Sequence, residues 1–216
     1  MHNAINDTAS PQLRLATTRL TTDVTLHYAE QGDQAGEAII FLHGYSDSWY
    51  SFSRVLPLLS PAYHAFALTQ RGHGDSDKPQ CCYTPEDFAA DVDAFMEVVG
   101  LEEATVVGAS TAALFAQRVA LSYPRRVGRL VLVGPQTPAN EAISGFREEV
   151  QALEDPVPPE FVREWQEVNV YRPVPDEFFA TVVSESLKLP ARVWRDYWEG
   201  VVLAPDPVSR ARERNR

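Results

Sequence analysis

The stretch EATVVGASTAALFAQRVALSY, residues 103–123, carries the clearest structural signal in the sequence. Residues 104–107 form an apolar run that is typical of a strand buried on both faces. The small-residue turn GASTA, residues 108–112, follows, and residues 113–121 then repeat apolar side chains at helical spacing until Pro124. This succession of strand, tight turn and helix presents the hydroxyl of the central serine on a strained corner above a sheet.

The turn resembles the nucleophile elbow of the α/β-hydrolase family, G-x-S-x-G, with Ala112 in place of the last glycine. Gly108, Ala109 and Ala112 shape the corner, because larger side chains there would collide with the neighbouring strand or helix. The resemblance implies that Ser110 is the nucleophile and that the backbone N–H of Thr111 is one donor of an oxyanion hole. A βα turn with an unreactive surface serine is the alternative interpretation of these residues alone.

A second segment, FLHGY at residues 41–45, resembles the His-Gly-x oxyanion motif of the same family. The resemblance implies that the backbone of Tyr45 supplies the second oxyanion donor. Gly44 lets the chain approach the site closely, because it has no side chain. His43 is then expected to orient the loop through hydrogen bonds and not to act as the base.

A third segment, QRGHGDS at residues 70–76, resembles the R-G-x-G-x-S loop of the family. Its expected role is structural, with glycines for a tight turn, local pairing of Arg71 and Asp75, and His73 as a hydrogen-bonded loop histidine. The three motifs occur in the family's order and spacing. The resemblance therefore implies an α/β fold with a mostly parallel sheet, helices on both faces and an inserted helical cap.

The hydrophobic pattern before residue 136 is consistent with that fold, in the order β-β-β-α-β-α-β-α-β. Alternation between apolar and polar residues at the start predicts two antiparallel strands. Thr84 is expected to cap a helix that starts at Pro85, with Asp87 completing a capping box. Besides the central stretch, the predicted elements are strands at 13–22, 24–29, 37–42, 63–68 and 129–133, and helices at 49–59 and 85–99.

Beyond Pro135 the pattern predicts only short helices, broken by prolines. They cover residues 139–153, 159–170, 175–187 and 190–203. The predicted organisation is a core at 1–135, a helical cap at 136–205 and a charged tail at 206–216.

The resemblance also implies catalytic residues that this sequence lacks. In the family, the acid and the base histidine of the triad follow two strands that come after the cap. The chain ends at Arg216 and has no histidine after His73, so we expect both strands and both triad partners to be missing. Without a base, a serine hydroxyl is a weak nucleophile. The strand at 129–133 would then be a bare edge, which favours pairing with a second copy of the chain.

Composition limits the partners and the location. With 19 basic and 30 acidic residues the net charge is −11, which argues against nucleic acid and anionic membrane surfaces as partners. The apolar runs have strand length, and residues 1–12 show no export signal. The adjacent Cys81 and Cys82 are expected to be free thiols in a reducing cytoplasm. No metal-ligand cluster and no phosphate loop appears, so we expect no metal and no cofactor.

The expected substrate is a small-molecule ester or lactone with a large apolar body. Aromatic residues of the cap are expected to pack onto the core, and they also have the character to line a roomy pocket. They are Phe146, Phe161, Trp165, Tyr171, Phe178, Phe179, Trp194, Tyr197 and Trp198. The segments at 44–49 and 71–77 further resemble esterases that open macrolide lactone rings, some of them carried on resistance integrons.

Two other functions stay open at this point. One is a catalytically inactive chain that acts only as a binding or oligomerising fragment. The other is a cofactor-free haloperoxidase, since members of the family with that activity also use a serine. Dehalogenases and epoxide hydrolases of the family need an aspartate at the elbow, and Ser110 argues against them.

Overall fold

A computed structural model describes residues 13–135 and 141–204, with side chains described from residue 146 onward in the second range. It contains a sheet of six strands in the order β1-β2-β4-β3-β5-β6. These strands are β1 (Arg14–Arg19), β2 (Thr25–Gly32), β3 (Glu37–Leu42), β4 (Tyr63–Thr69), β5 (Ala104–Ala109) and β6 (Val127–Val133). β2 pairs antiparallel with β1 and β4, and the remaining neighbours are parallel. The predicted mostly parallel α/β sheet with an antiparallel start is confirmed.

Helices and tight turns cover both faces of this sheet. The helices are α1 (Pro85–Val98), α2 (Ala112–Ser122), α3 (Glu141–Gln151), α4 (Pro159–Val168), α5 (Asp176–Ser186) and α6 (Ala191–Tyr197). On one face, α1 and α2 pack together, with the rings of Phe88 and Phe115 stacked 4.8 Å apart. On the other face, two 3₁₀ turns bury Trp49 and Leu56 against β3 and β4. After the exposed Glu37, every residue of β3 is apolar and buried, because both faces of the strand are covered.

The segment predicted as a helix at 49–59 forms two 3₁₀ turns instead, Trp49–Phe52 and Leu56–Leu58. Pro57 is the physical reason, because it has no N–H to donate within a helix and its ring clashes with the carbonyl group four residues earlier. The helix expected after Thr84 is present. Its capping box is formed, with the Thr84 backbone N–H donating to Asp87 at 2.9 Å.

The four helices expected after Pro135 are present as α3 to α6, and α6 continues into a π-helical turn at Trp198–Val202. Their apolar side chains join the core between the sheet and α1, since Val162 and Trp194 belong to the same buried cluster as Phe95. The division into a core at 1–135, a cap at 136–205 and a tail at 206–216 stays a prediction. Residues 1–12, 136–140 and 205–216 lie outside the described residues.

The loop at 70–76 pairs with distant elements and not locally. Arg71 Nε lies 2.6 Å from Asp91 Oδ2 on α1, and both side chains are buried. Asp75 instead accepts a hydrogen bond from Lys188 at 2.8 Å. The expectation of local pairing between Arg71 and Asp75 was wrong, because α1 and the segment after α5 pack beside this loop and offer charged partners.

The expectation of two free thiols was also wrong. Cys81 and Cys82 form a disulfide with each other in the structure. Cys82 has a left-handed backbone with φ of 75°, which is uncommon for a residue with a side chain. The cytoplasmic location stays a prediction. Of the helices in the described ranges, none combines the length and the apolar character needed to cross a membrane.

β6 forms one edge of the sheet. Three of its apolar residues, Leu130, Val131 and Val133, are 37%, 42% and 54% exposed. An apolar edge strand with unpaired backbone groups is a template for pairing with another strand.

Candidate active site

Ser110 occupies a strained corner between β5 and α2. Its φ of 54° lies in the left-handed region, which is uncommon for a residue with a side chain. The corner is held on both sides, because the Ser110 N–H donates to the carbonyl of Val133 at 2.9 Å and its own carbonyl accepts from Ala113 at 3.1 Å. Ser110 is exposed, so its hydroxyl is accessible.

Glycines at two positions permit this corner. A Cβ added at Gly108 would lie 2.7 Å from the Cβ of Ala116 and 2.8 Å from the carbonyl oxygen of Ala112. A Cβ at Gly44 would lie 3.1 Å from the Cβ of Ser110. Glycine at these positions therefore lets β5, the first turn of α2 and the loop after β3 approach one another closely.

Ser110 opens onto a cavity of about 340 Å³ at the C-terminal edge of the sheet. The cavity is lined by Gly44, Tyr45, Asp47, Ser110, Thr111, Trp165, Gln166, Asn169, Trp198 and Val202. The structure thus brings Ser110 together with Thr111, Tyr45 and Gly44, which the sequence analysis placed at one site. The remaining predicted site residues are not part of this lining; they are His43, Gly108, Ala109 and Ala112.

A larger cleft of about 900 Å³ lies elsewhere, between the ends of α1 and α2 and the starts of β5 and β6. Its lining is polar and charged, with Glu102, Glu103 and Arg125 among the residues. None of the motif residues contributes to it. We therefore assign the candidate active site to the smaller cavity, where the strained serine is.

The backbone amides of Tyr45 and Thr111 are free to bind a ligand. Among the residues that the structure describes, neither amide donates a hydrogen bond to a protein acceptor. Thr111 is the N-cap of α2, so its N–H lies at the positive end of the helix dipole. Tyr45 and Thr111 both line the cavity beside Ser110, and an oxyanion hole needs two donors of this kind.

His43 braces the loop after β3. Its Nδ1 donates to the carbonyl of Gly44 at 2.8 Å, and its Nε2 accepts from the Gln70 backbone N–H at 3.1 Å. Both ring nitrogens are therefore engaged, and burial together with the nearby His73 ring holds the pKa of His43 well below its usual value. His43 is a neutral bracing residue in this geometry.

His73 is also buried, and its Nδ1 donates to the Arg71 carbonyl at 2.8 Å. Burial lowers the pKa of His73 to about 4. In the described part of the chain, no histidine lines the cavity beside Ser110.

Contacts between α6 and the motif loops were not visible from the sequence. The hydroxyl of Tyr197 lies 2.8 Å from the Thr111 side-chain oxygen, and the Tyr45 hydroxyl donates to the Trp194 carbonyl at 2.6 Å. The rings of Tyr45 and Tyr197 stack 4.8 Å apart. Burial raises the pKa of Tyr197, so its hydroxyl stays protonated at neutral pH. α6 therefore contacts the side chains of both Tyr45 and Thr111, which line the cavity.

α4 makes a second, polar connection to the loop after β3. The indole N–H of Trp165 donates to the hydroxyl oxygen of Ser46 at 2.9 Å. The Gln166 amide donates to Asp47 Oδ1 at 3.0 Å. Burial raises the pKa of Asp47 to about 6, and hydrogen bonds from Gln166 and Ser51 oppose that rise. Asp47 was not among the site residues that the motifs predicted.

Comparison with known proteins identifies the family. The family model described as alpha/beta hydrolase fold matches residues 37–212. The chain belongs to the α/β-hydrolase family. The match includes the elbow at Ser110, the His-Gly segment and the helices that follow β6.

Individual relatives of this α/β-hydrolase carry several names. Epoxide hydrolase 1 of Siraitia grosvenorii is 34% identical over 134 residues, which are 59% of this chain and 42% of that relative. An esterase of Exiguobacterium antarcticum has a TM-score of 0.74 at 16% identity, covering 90% of this chain and 75% of that one. A bromoperoxidase from Bacillus anthracis has a TM-score of 0.74 at 19% identity, covering 87% and 74%.

The two structural likenesses establish the fold and not the reaction, since the sequences are so different. The chain spans less than half the length of the Siraitia relative and about three quarters of each solved chain.

Proposed function

We propose that Ser110 is the nucleophile of a hydrolase that cleaves carboxylic esters or lactones. The observation that carries the proposal is the exposed serine at φ of 54°, beside a cavity edged by the unengaged amides of Tyr45 and Thr111. In this reaction the serine oxygen attacks the ester carbonyl, and negative charge develops on the carbonyl oxygen. The two amides would stabilise that charge by a few kcal/mol, on the order measured for oxyanion-hole donors.

The full reaction needs a base that takes the serine proton and later returns it to the leaving alcohol. His43 and His73 are unsuited to that task, because both are buried and hydrogen-bonded to backbone carbonyls. The proposal therefore concerns a whole protein in which a base from outside the described residues approaches Ser110. The serine, its corner and the oxyanion donors are the part that this chain supplies.

The substrate that we propose has a bulky, partly apolar body, for which a macrolide lactone is one example. Support comes from the cavity wall, where Tyr45, Trp165, Trp198 and Val202 supply apolar surface. A macrolide is larger than a cavity of about 340 Å³, so only the lactone edge and a substituent would enter beside Ser110.

Three alternatives have less support. Epoxide hydrolysis, suggested by the name of the Siraitia relative, needs an aspartate where this chain has Ser110. Haloperoxidase activity is compatible with a serine, and the likeness to the bromoperoxidase concerns the fold alone. An inactive chain that only binds a ligand would share the cavity and lack a reactive serine.

Labelling with a fluorophosphonate probe tests the proposal. We expect slow labelling of the chain at Ser110, because an unassisted serine hydroxyl is a weak nucleophile, and faster labelling when imidazole is added as a base. Peptide mass mapping should find the label lost in Ser110→Ala and kept in Ser122→Ala, where an exposed helix serine is removed. Labelling that stays absent with imidazole, or that falls equally on other serines, would refute the proposed nucleophile.

A further inference from the structure

The cavity beside Ser110 contains one ionisable carboxyl group, that of Asp47, among the described residues that line it. We propose that this cavity binds a substrate carrying an alkylammonium group, which lies between Asp47 and an aromatic wall. The aromatic wall consists of Tyr45, Trp165 and Trp198. The inference deepens the proposed ester hydrolysis, on which it rests, by naming a substrate class.

Asp47 lacks a cationic partner in the described part of the chain, where no lysine, arginine or histidine lies within ion-pair distance of it. Its known partners are the Gln166 amide, which donates to Oδ1 at 3.0 Å, and the neutral Ser51. A carboxylate has about four acceptor sites, so these two donors leave it with spare capacity. A largely buried charge without a counter-charge is unfavourable, and a cation on the ligand would offset that cost.

The aromatic wall complements this charge. The ring of Tyr45 lies 5.4 Å from that of Trp165 and 5.8 Å from that of Trp198, so the three form one continuous group. Aromatic faces attract alkylammonium groups through their negative quadrupole, and a carboxylate on the same site strengthens that attraction. The net charge of −11 favours the approach of cations to the molecule as a whole.

Other cations fit this site less well. A divalent metal ion would need several oxygen ligands, and the lining described here offers a single carboxylate. A compact ammonium ion would leave the aromatic wall without contact. An alkylated amine satisfies both sides, because its carbon atoms pack on rings while its charge faces Asp47.

A pair of isosteric ligands tests the inference on the 216-residue chain without any hydrolysis. The ligands are 3-(trimethylammonio)phenol and 3-tert-butylphenol, which have the same shape and differ in charge. Binding is followed by NMR through the indole N–H signals of Trp165 and Trp198. We expect the cationic phenol to bind about tenfold more tightly, as one cation–aromatic contact with a nearby carboxylate predicts. Equal binding of the two phenols to the unmodified chain would overturn the inference.

Two variants locate the source of the preference. Asp47→Asn keeps an oxygen acceptor for Gln166 and removes the charge, so the preference should fall to about twofold or less. Glu164→Gln removes one exposed charge from the same helix as Trp165 and should keep the tenfold preference. An unchanged preference in folded Asp47→Asn, or an equal loss in Glu164→Gln, would contradict the assigned contact.

The result is separable from the proposed function. A cation preference without fluorophosphonate labelling of Ser110 would remove the hydrolase proposal and leave the binding site. Labelling of Ser110 without a cation preference would remove the alkylammonium site and leave the hydrolase proposal.

Discussion

Replacing Gly108 with alanine perturbs the corner at the centre of this account. The new methyl group would lie 2.7 Å from the Cβ of Ala116 and 2.8 Å from the Ala112 carbonyl oxygen, distances that real Cβ atoms essentially never show. One neighbour is backbone in the first turn of α2, so the helix must move by roughly half an ångström or more to restore ordinary contact. Overpacking of this kind costs about 1–3 kcal/mol, and reduced freedom of the unfolded chain returns at most about 1 kcal/mol.

We therefore expect Gly108→Ala to lower the unfolding free energy by about 1–2 kcal/mol and the melting temperature by roughly 2–8 °C. Thermal and urea unfolding, followed by circular dichroism, measure both quantities. Gly44→Ala is the matched comparison, because the one tight contact of its added Cβ would be with the Ser110 Cβ at 3.1 Å, and it should change stability by less than about 1 kcal/mol. A Gly108→Ala chain that is as stable as the unmodified chain would refute the close packing of the corner.

Three further results are expected. Asp91→Asn leaves the buried guanidinium of Arg71 without its carboxylate and should lower the free energy of unfolding, measured in urea, by about 3–5 kcal/mol. Asp23→Asn removes the carboxylate of an exposed ion pair and should lower it by less than about 1 kcal/mol. Equal losses in the two variants would contradict the difference in burial between the two pairs. Burial lowers the pKa of His73 to about 4, so the unfolded chain binds a proton at this residue more readily than the folded chain does. The difference in unfolding free energy between the unmodified chain and His73→Asn should therefore shrink by about 2 kcal/mol from pH 6.5 to pH 5. A difference that does not change with pH would argue against a buried neutral ring. We also propose that the exposed edge of β6 pairs with a second copy of the chain. Light scattering should then find a dimer, and Val131→Lys should convert it to a monomer. A monomeric unmodified chain would exclude this pairing.

The parts of the fold that were predictable are those with local signals. The capping box at Thr84 and Asp87 involves residues three positions apart, and the elbow at Ser110 is a single continuous stretch. The sheet class followed from apolar runs of strand length. The helix predicted at 49–59 was wrong for a reason that is also local, since Pro57 lies within the segment and cannot continue a helix.

The candidate site was predictable only where the motifs supply its residues. Ser110, Thr111 and Tyr45 were identified from their motifs, and the cavity brings them together. The contact from Tyr197 to Thr111 joins residues 86 positions apart, and no local pattern encodes such a pairing. The same holds for Asp47, whose environment depends on where α4 packs.

We propose that the amides of Tyr45 and Thr111 converge on the position of a developing oxyanion beside Ser110. A crystal structure of the chain after reaction with a small phosphonate would locate that position, because the phosphonyl oxygen occupies it. We predict this oxygen at about 2.7–3.1 Å from both backbone nitrogens. A phosphonyl oxygen that points into solvent, or that contacts neither amide, would exclude Tyr45 and Thr111 as the oxyanion donors.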